Sequence, residues 1–168
     1  MTNEEIWVML RRGGLSVETP ASDAGEKAVE PVLVGRYHGT RDPAATDQLG
    51  VLLADKARTV DANVIVVGEG GNDLVLGFVI ARELRLPVVR VLNLEGLVGA
   101  SGVLPARPKG TFVADRIHKR EFVTAVRNLL DREGGELAAV ASLVTSNIPL
   151  PVSRLGLVSI EEGLLSPK

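Results

Sequence analysis

The sequence contains no cysteine, which removes disulfides, zinc–thiolate centres and thiol nucleophiles together. Aromatic residues are nearly as scarce. Trp7, Tyr37, Phe78, Phe112 and Phe122 are the complete set, too few for a surface on which nucleic-acid bases stack. Basic residues show no excess: 19 Lys and Arg stand against 21 Asp and Glu, and a net charge of −2 gives no general grip on a nucleic acid. No apolar run reaches the roughly 18 residues that a membrane helix needs. The opening "MTNEEIWVML" carries acids where a secretion signal needs bases. A cytoplasmic chain with no membrane or nucleic-acid partner is therefore expected. Other motifs are missing too. His38 and His118 have no identifiable carboxylate set to complete a metal site, so no metal ligands are assigned. No G-x-S-x-G marks a nucleophile, and "VVRVLNL" offers no acid to close a dinucleotide-binding strand.

What is present is a regular alternation. The chain is 168 residues long and 45% apolar, enough for one domain with a proper core. Four β-rich runs, "NVIVVG", "PVVRVL", "TFVAD" and "LAAVASLV", start at residues 63, 87, 111 and 137. Near-continuous apolar strands of this kind suit a sheet covered on both faces. Helical periodicity fills "DLVLGFVIARELRL" between the first two and "REFVTAVRNLLDREGG" between the last two. Strand, helix, strand repetition predicts an α/β fold, a doubly wound parallel sheet. Upstream, "NEEIWVMLRRGG" reads as a short amphipathic helix and "PVLVGRY" as an edge strand or hairpin arm. Asp42 and Pro43 open a further helix as N-cap and first residue. The proline-containing tail from residue 147 reads as part of a small cap over the sheet. The expected organisation is a single domain, 1–168, with a core of about 43–145 and a cap from 1–42 and 146–168.

Ligands of open α/β sheets bind beyond the carboxyl ends of the strands. Three segments belong there on this reading. "GEGGND", residues 68–73, is a glycine-rich turn entering a helix: either a backbone cradle for an anion or a tight turn. Residues 93–110, "NLEGLVGASGVLPARPKG", form a long connection that reads as a mobile binding loop or as a hairpin extension. Its charged residues are Glu95, Arg107 and Lys109. The third is "ADRIHKRE", where Asp115 ends a strand and Arg116, His118, Lys119, Arg120 and Glu121 follow. Cations at a helix start oppose its dipole unless an anion lies between, so the cluster is either a phosphate site or a solvated basic turn.

Together these segments resemble the type I phosphoribosyltransferases, and among them the orotate enzymes. "VIVVGEGGNDLVLGFVIARELRLPVVRV" is similar to the family's pyrophosphate loop with its helix and next strand. "GTFVADRIHKREFVTAVRNLLDREGGELAAVASLV" is similar to the segment with the signature for phosphoribosyl pyrophosphate (PRPP), and "LGLVSIEEGLL" to the orotate enzymes' closing piece. The resemblance implies that Gly70, Gly71 and Asn72 cradle pyrophosphate and that Asp115 holds ribose hydroxyls. It implies that Arg116 and His118 to Glu121 take the 5-phosphate, that Mg²⁺ is the cofactor of an active form, and that the chain is a homodimer. The signature is altered. Arg116 stands in place of the second acid, and Lys119, Arg120 and Glu121 in place of a Thr-Thr-Gly turn.

Three functions follow from that reading. The favoured one is a phosphoribosyltransferase-like protein that binds a phosphorylated metabolite or nucleotide through "GEGGND" and "RIHKRE" without turning it over. The alternative is an active enzyme, Asp115 catalytic, moving ribose 5-phosphate from PRPP to a pyrimidine or purine base with Mg²⁺. A third is an assembly role, needing only a dimer.

Overall fold

The computed structural model describes residues 1–18, 32–94, 97–117, 120–145, 150 and 152–159. Helix α1, Asn3–Arg12, opens with a capping box. The Thr2 hydroxyl accepts the Glu5 N–H, and the Glu5 carboxylate accepts the Thr2 N–H. Strands β1, Leu15–Glu18, and β2, Val32–Gly35, pair antiparallel as a separate two-stranded ribbon, so "PVLVGRY" is a hairpin arm. Helix α2, Pro43–Ala57, starts as its sequence predicts: the Asp42 side chain accepts the Ala45 N–H at 3.0 Å, and proline occupies the first turn.

The remaining elements form one sheet and its cover. They are β3 (Val64–Val67), α3 (Gly71–Leu84), β4 (Val88–Leu94), β5 (Leu97–Ser101), β6 (Lys109–Arg116), α4 (Arg120–Arg132), β7 (Glu136–Thr145) and β8 (Ser153–Ser159). The strand order is β5-β4-β3-β6-β7-β8, parallel throughout except for β5. The doubly wound α/β reading holds. Two elements extend it. The 93–110 connection contains β5, a hairpin return alongside β4. The tail contributes β8, an edge strand beside β7, where a cap had been expected. Gly156 makes this close pairing possible, since a Cβ there would lie 2.2 Å from Thr145 Cγ2.

Alternation along the strands assigns the two faces. Ile65, Val67 and Val113 pack with Leu49, Leu53, Leu76 and Ile80 under α2 and α3. Val64, Val66, Phe112 and Ala114 pack with Val123, Val126 and Leu130 under α4. Each large apolar side chain fully buried here contributes roughly 1.5–3 kcal/mol. Two buried polar atoms, Trp7 Nε1 and Thr111 Oγ1, have no hydrogen-bond partner among the described residues. Among those residues no helix is long and apolar enough to cross a membrane.

The strand order fixes where a ligand edge must be. From β3 the chain moves through α3 to β4 on one side, and β6 then enters on the other side of β3. The reversal lies between the carboxyl ends of β3 and β6, the position at which open α/β sheets form a crevice.

Candidate functional site

Two of the sequence-predicted segments meet at that crevice. The turn from Gly68 leaves β3, and Gly70 caps α3 with an extended backbone (φ −62°, ψ 131°) and no side-chain cap. Among the described residues nothing lies within 4 Å of where a Cβ on Gly71 would be, so this end of the turn is open. Across from it, Asp115 and Arg116 end β6. The tie between the two is Asp73, in the first turn of α3, whose Oδ1 accepts the Asp115 backbone N–H at 2.9 Å. Asp115 Oδ1 accepts the N–H of Arg116 at 2.7 Å, so one oxygen of this carboxylate is held by its own chain.

Burial pushes the Asp73 carboxyl up to about 6. The Asp115 N–H opposes that shift, the neighbouring Asp115 carboxylate adds to it, and the Arg36 cation opposes it again. Arg36 belongs to a segment that the resemblance does not match position by position. That segment, residues 36–42, is fixed at the rim by Asn72. Asn72 Oδ1 accepts the Gly39 N–H at 3.1 Å, and Nδ2 donates to the Tyr37 carbonyl. Tyr37 is buried with its hydroxyl 2.6 Å from Thr46 Oγ1, and Thr46 donates to the Gly39 carbonyl at 2.8 Å. Burial raises the Tyr37 phenol above its ordinary value. Both polar ends of Asn72 are thus spent on the 37–39 backbone.

On the α4 side of Arg116 lies a cavity of about 240 Å³. Its walls are mostly apolar, with Phe112, Ala114, Ile117 and Phe122 prominent, and Arg116 and Asp73 supply its charge. Phe112 and Phe122 meet edge to face, centroids 5.6 Å apart and planes at 62°. Arg120 and Glu121 form the exposed start of α4. His118, Lys119 and Glu95 lie outside the described residues.

Arg107 and Lys109 are placed elsewhere. Because β5 runs antiparallel to β4, the chain returns to the amino edge before β6 begins. The Arg107 carbonyl accepts from Asn63 Nδ2 at 3.3 Å, and the Lys109 N–H donates to Asn63 Oδ1 at 2.8 Å. Lys109 Nζ pairs with Asp61 at 3.0 Å and stands 3.8 Å from Glu136. It begins the strand that Arg116 ends, so the two lie about 20 Å apart. A larger open groove of about 850 Å³ runs along this amino edge past Asp61, Lys109 and Glu136. Its size does not make it the better candidate, because its charges already neutralise one another and it lies away from the strand reversal.

Among the described residues no three His, Asp or Glu side chains converge as a metal set. Mg²⁺ normally needs only one or two carboxylates when ligand phosphates complete its shell. Asp115, with one oxygen held and the other without a partner among the described residues, is the one carboxylate of β6 open to that role, and the cationic Arg116 beside it opposes Mg²⁺. Sequence reasoning missed Asp73, Arg36, Asn72 as a clamp, and Phe122. An acid in a helix's first turn is an ordinary dipole partner, which leaves Asp73 without a distinguishing signal.

No protein-family model matches this sequence, and no curated protein matches it. Solved structures do. Adenine phosphoribosyltransferase from Thermoanaerobacter pseudethanolicus is 17% identical at a TM-score of 0.63, covering 94% of this chain and 99% of that one. Orotate phosphoribosyltransferase from Mycobacterium tuberculosis, in complex with inorganic phosphate, is 17% identical at 0.62, covering 94% and 95%. A hypothetical protein from Neisseria gonorrhoeae with bound ppGpp is 16% identical at 0.52, covering 69% and 79%. The chain has the fold of the type I phosphoribosyltransferases.

Proposed function

We propose that this chain binds a phosphorylated metabolite or nucleotide at the β3–β6 crevice and that it is not a phosphoribosyltransferase in action. The observation that carries this reading is the end of β6. Asp115, the residue that resemblance assigns to ribose hydroxyls, folds one oxygen back onto the Arg116 N–H, and a guanidinium follows where a second acid belongs. That exchange moves the local charge by two units towards an anion site, and a guanidinium fork matches phosphate oxygens. Gly70 and Gly71 supply the open amide turn, while Arg116 and Arg120 supply positive charge; His118 and Lys119, assigned to the same phosphate by the resemblance, lie outside the described residues. The Mycobacterium neighbour holds inorganic phosphate and the Neisseria neighbour ppGpp, which agrees with a phosphorylated ligand for this fold. Leu74 and Phe78, one turn apart on α3, are 39% and 62% exposed, and we take this face as the contact of a homodimer.

A second reading has two observations in its favour. The open turn at Gly71 and an Asp115 oxygen with no partner among the described residues would suit PRPP with Mg²⁺, transferring ribose 5-phosphate to a pyrimidine or purine base. Calorimetric titration separates the two. The binding reading expects ribose 5-phosphate or a nucleoside monophosphate to bind without Mg²⁺ and PRPP not to turn over. Mg²⁺-dependent PRPP binding with release of pyrophosphate, lost in Asp115→Asn, would overturn it in favour of the enzyme.

A further inference from the structure

The glycines of the "GEGGND" turn are not required by backbone shape. Among the described residues, the glycines with positive φ are Gly14, Gly35, Gly102 and Gly134, and none of Gly68, Gly70 and Gly71 is among them. Gly70 is extended, with φ −62° and ψ 131°, a conformation open to any residue. Two of the three answer to a different requirement. A Cβ at Gly70 would lie 3.0 Å from Asp73 Oδ2 and 3.4 Å from Asp73 Cγ, and a Cβ at Gly68 would lie 3.3 Å from the same oxygen. Each approach is tighter than an ordinary van der Waals contact. The missing side chains make room for a carboxylate.

The fold aims Asp73 at that space. It is the third residue of α3, and helical side chains lean back towards the start of their helix. Oδ1 is fixed by the Asp115 N–H at 2.9 Å, which leaves Oδ2 facing the inside of the turn. The charges nearest to it are the Asp115 carboxylate, the Arg36 cation and Arg116, which lines the same cavity. Burial pushes the Asp73 carboxyl up to about 6, so at pH 7.5 it is ionised. The turn therefore already holds an anion, and that anion is part of the chain. Like charges about 4 Å apart repel appreciably even at an effective dielectric near 20, so a phosphate entering the turn meets a carboxylate.

We propose that Asp73 is a specificity-determining residue: its carboxylate occupies the inside of the 68–70 turn, repels a second phosphate there, and leaves the crevice selective for a ligand with one phosphate. That phosphate takes the outer side of the turn, between Gly71 and Arg116, where nothing among the described residues lies within 4 Å of a Gly71 Cβ. The inference rests on the anion-binding reading given above and deepens it by setting how many phosphates the ligand carries.

Calorimetry on the whole chain at pH 7.5 without Mg²⁺, with ribose 5-phosphate and pyrophosphate as probes, tests it. The parent should bind pyrophosphate about tenfold or more weakly than ribose 5-phosphate, as a juxtaposition of like charges requires. Asp73→Asn, which keeps an acceptor for the Asp115 N–H, should raise pyrophosphate affinity about tenfold or more and ribose 5-phosphate affinity by about threefold or less. Asp73→Ser also removes the charge and decides the matter if Asp73→Asn does not fold. Equal affinity of the parent for the two probes, or equal gains for both in the variant, overturns the selectivity and leaves the anion reading intact. Pyrophosphate binding that appears with Mg²⁺ and is lost in Asp73→Asn also overturns it, since the carboxylate then holds a cation. If the parent binds neither probe, the anion reading falls and the variant still separates the two claims. Pyrophosphate binding that appears there upholds Asp73 as the barrier, and none overturns both.

Discussion

Asp73 Oδ1 accepts the backbone N–H of Asp115 at 2.9 Å, joining the first turn of α3 to the last turnless residues of β6 across the strand reversal. The bond satisfies a main-chain donor at the point where β6 leaves the sheet, and it holds two carboxylates close together in a partly dry crevice. The burial of Asp73 in that crevice also affects how the protein responds to acid.

Asp73 has its carboxyl pushed up to about 6 from an ordinary 3.8, burial being the largest cause. The folded chain therefore holds this proton more tightly than the unfolded chain does. Stability from this group is greatest below about pH 4, declines as pH rises through about 6, and is level above that. The upper limit of the decline is about 3 kcal/mol. Asp73→Asn keeps an acceptor for the Asp115 N–H and removes the ionisation. Urea unfolding of both proteins from pH 4.5 to 7.5 should show the variant gaining on the parent as pH rises. Parallel profiles would mean that Asp73 ionises as freely in the fold as outside it.

The sheet's four long parallel strands were legible because their apolar runs are bounded by helices of clear period. β5 and β8 were not. "LVGAS" carries a glycine and lies in a connection rich in Gly and Pro, and "SRLGLVS" follows prolines, so each looks like loop until a neighbouring strand supplies its hydrogen bonds. The site divides the same way. Gly70, Gly71, Asp115 and Arg116 announce themselves by their position at the ends of strands. Asp73 and Phe122 converge over Gly68 only because β3 lies beside β6, and strand order is not written in local sequence. Lys109 shows the converse. It reads as the last charge of a binding loop close to Asp115 in sequence, but β6 carries the two to opposite ends of a strand.

Asn72 should behave as a clamp on the 37–39 segment. Asn72→Ala removes an acceptor from the Gly39 N–H and a donor from the Tyr37 carbonyl. The expected cost is about 1–3 kcal/mol in unfolding free energy, with faster hydrogen exchange at Gly39. If Gly39 exchange stays at the parental rate, the segment is held by Tyr37 and Thr46 alone.

Thr111 offers a gain. It is fully buried in the middle of β6, and its hydroxyl has no partner among the described residues. Thr111→Val keeps the branched shape that suits a strand and deletes the unsatisfied oxygen. Stability should rise by about 1 kcal/mol, read as a higher urea midpoint at unchanged slope. A loss of stability would reveal a hydrogen bond to a bound water or ligand.

Arg116 and Lys109 give the sharpest contrast, because they are the two ends of one strand. Arg116→Ala should weaken ribose 5-phosphate binding about tenfold or more, since a charge-assisted hydrogen bond contributes roughly 1.5–3 kcal/mol. Added salt should weaken the parent's binding more steeply than the variant's, because the lost contact is electrostatic. Lys109→Ala should leave the same affinity within about twofold. Its ammonium is committed to Asp61 and Glu136 at the amino edge, and ion pairs this exposed add little. Equal losses in both variants would mean that the anion is attracted by the overall charge of the molecule, and a loss in Lys109→Ala alone would move the binding site to the groove beside Asp61 and Glu136.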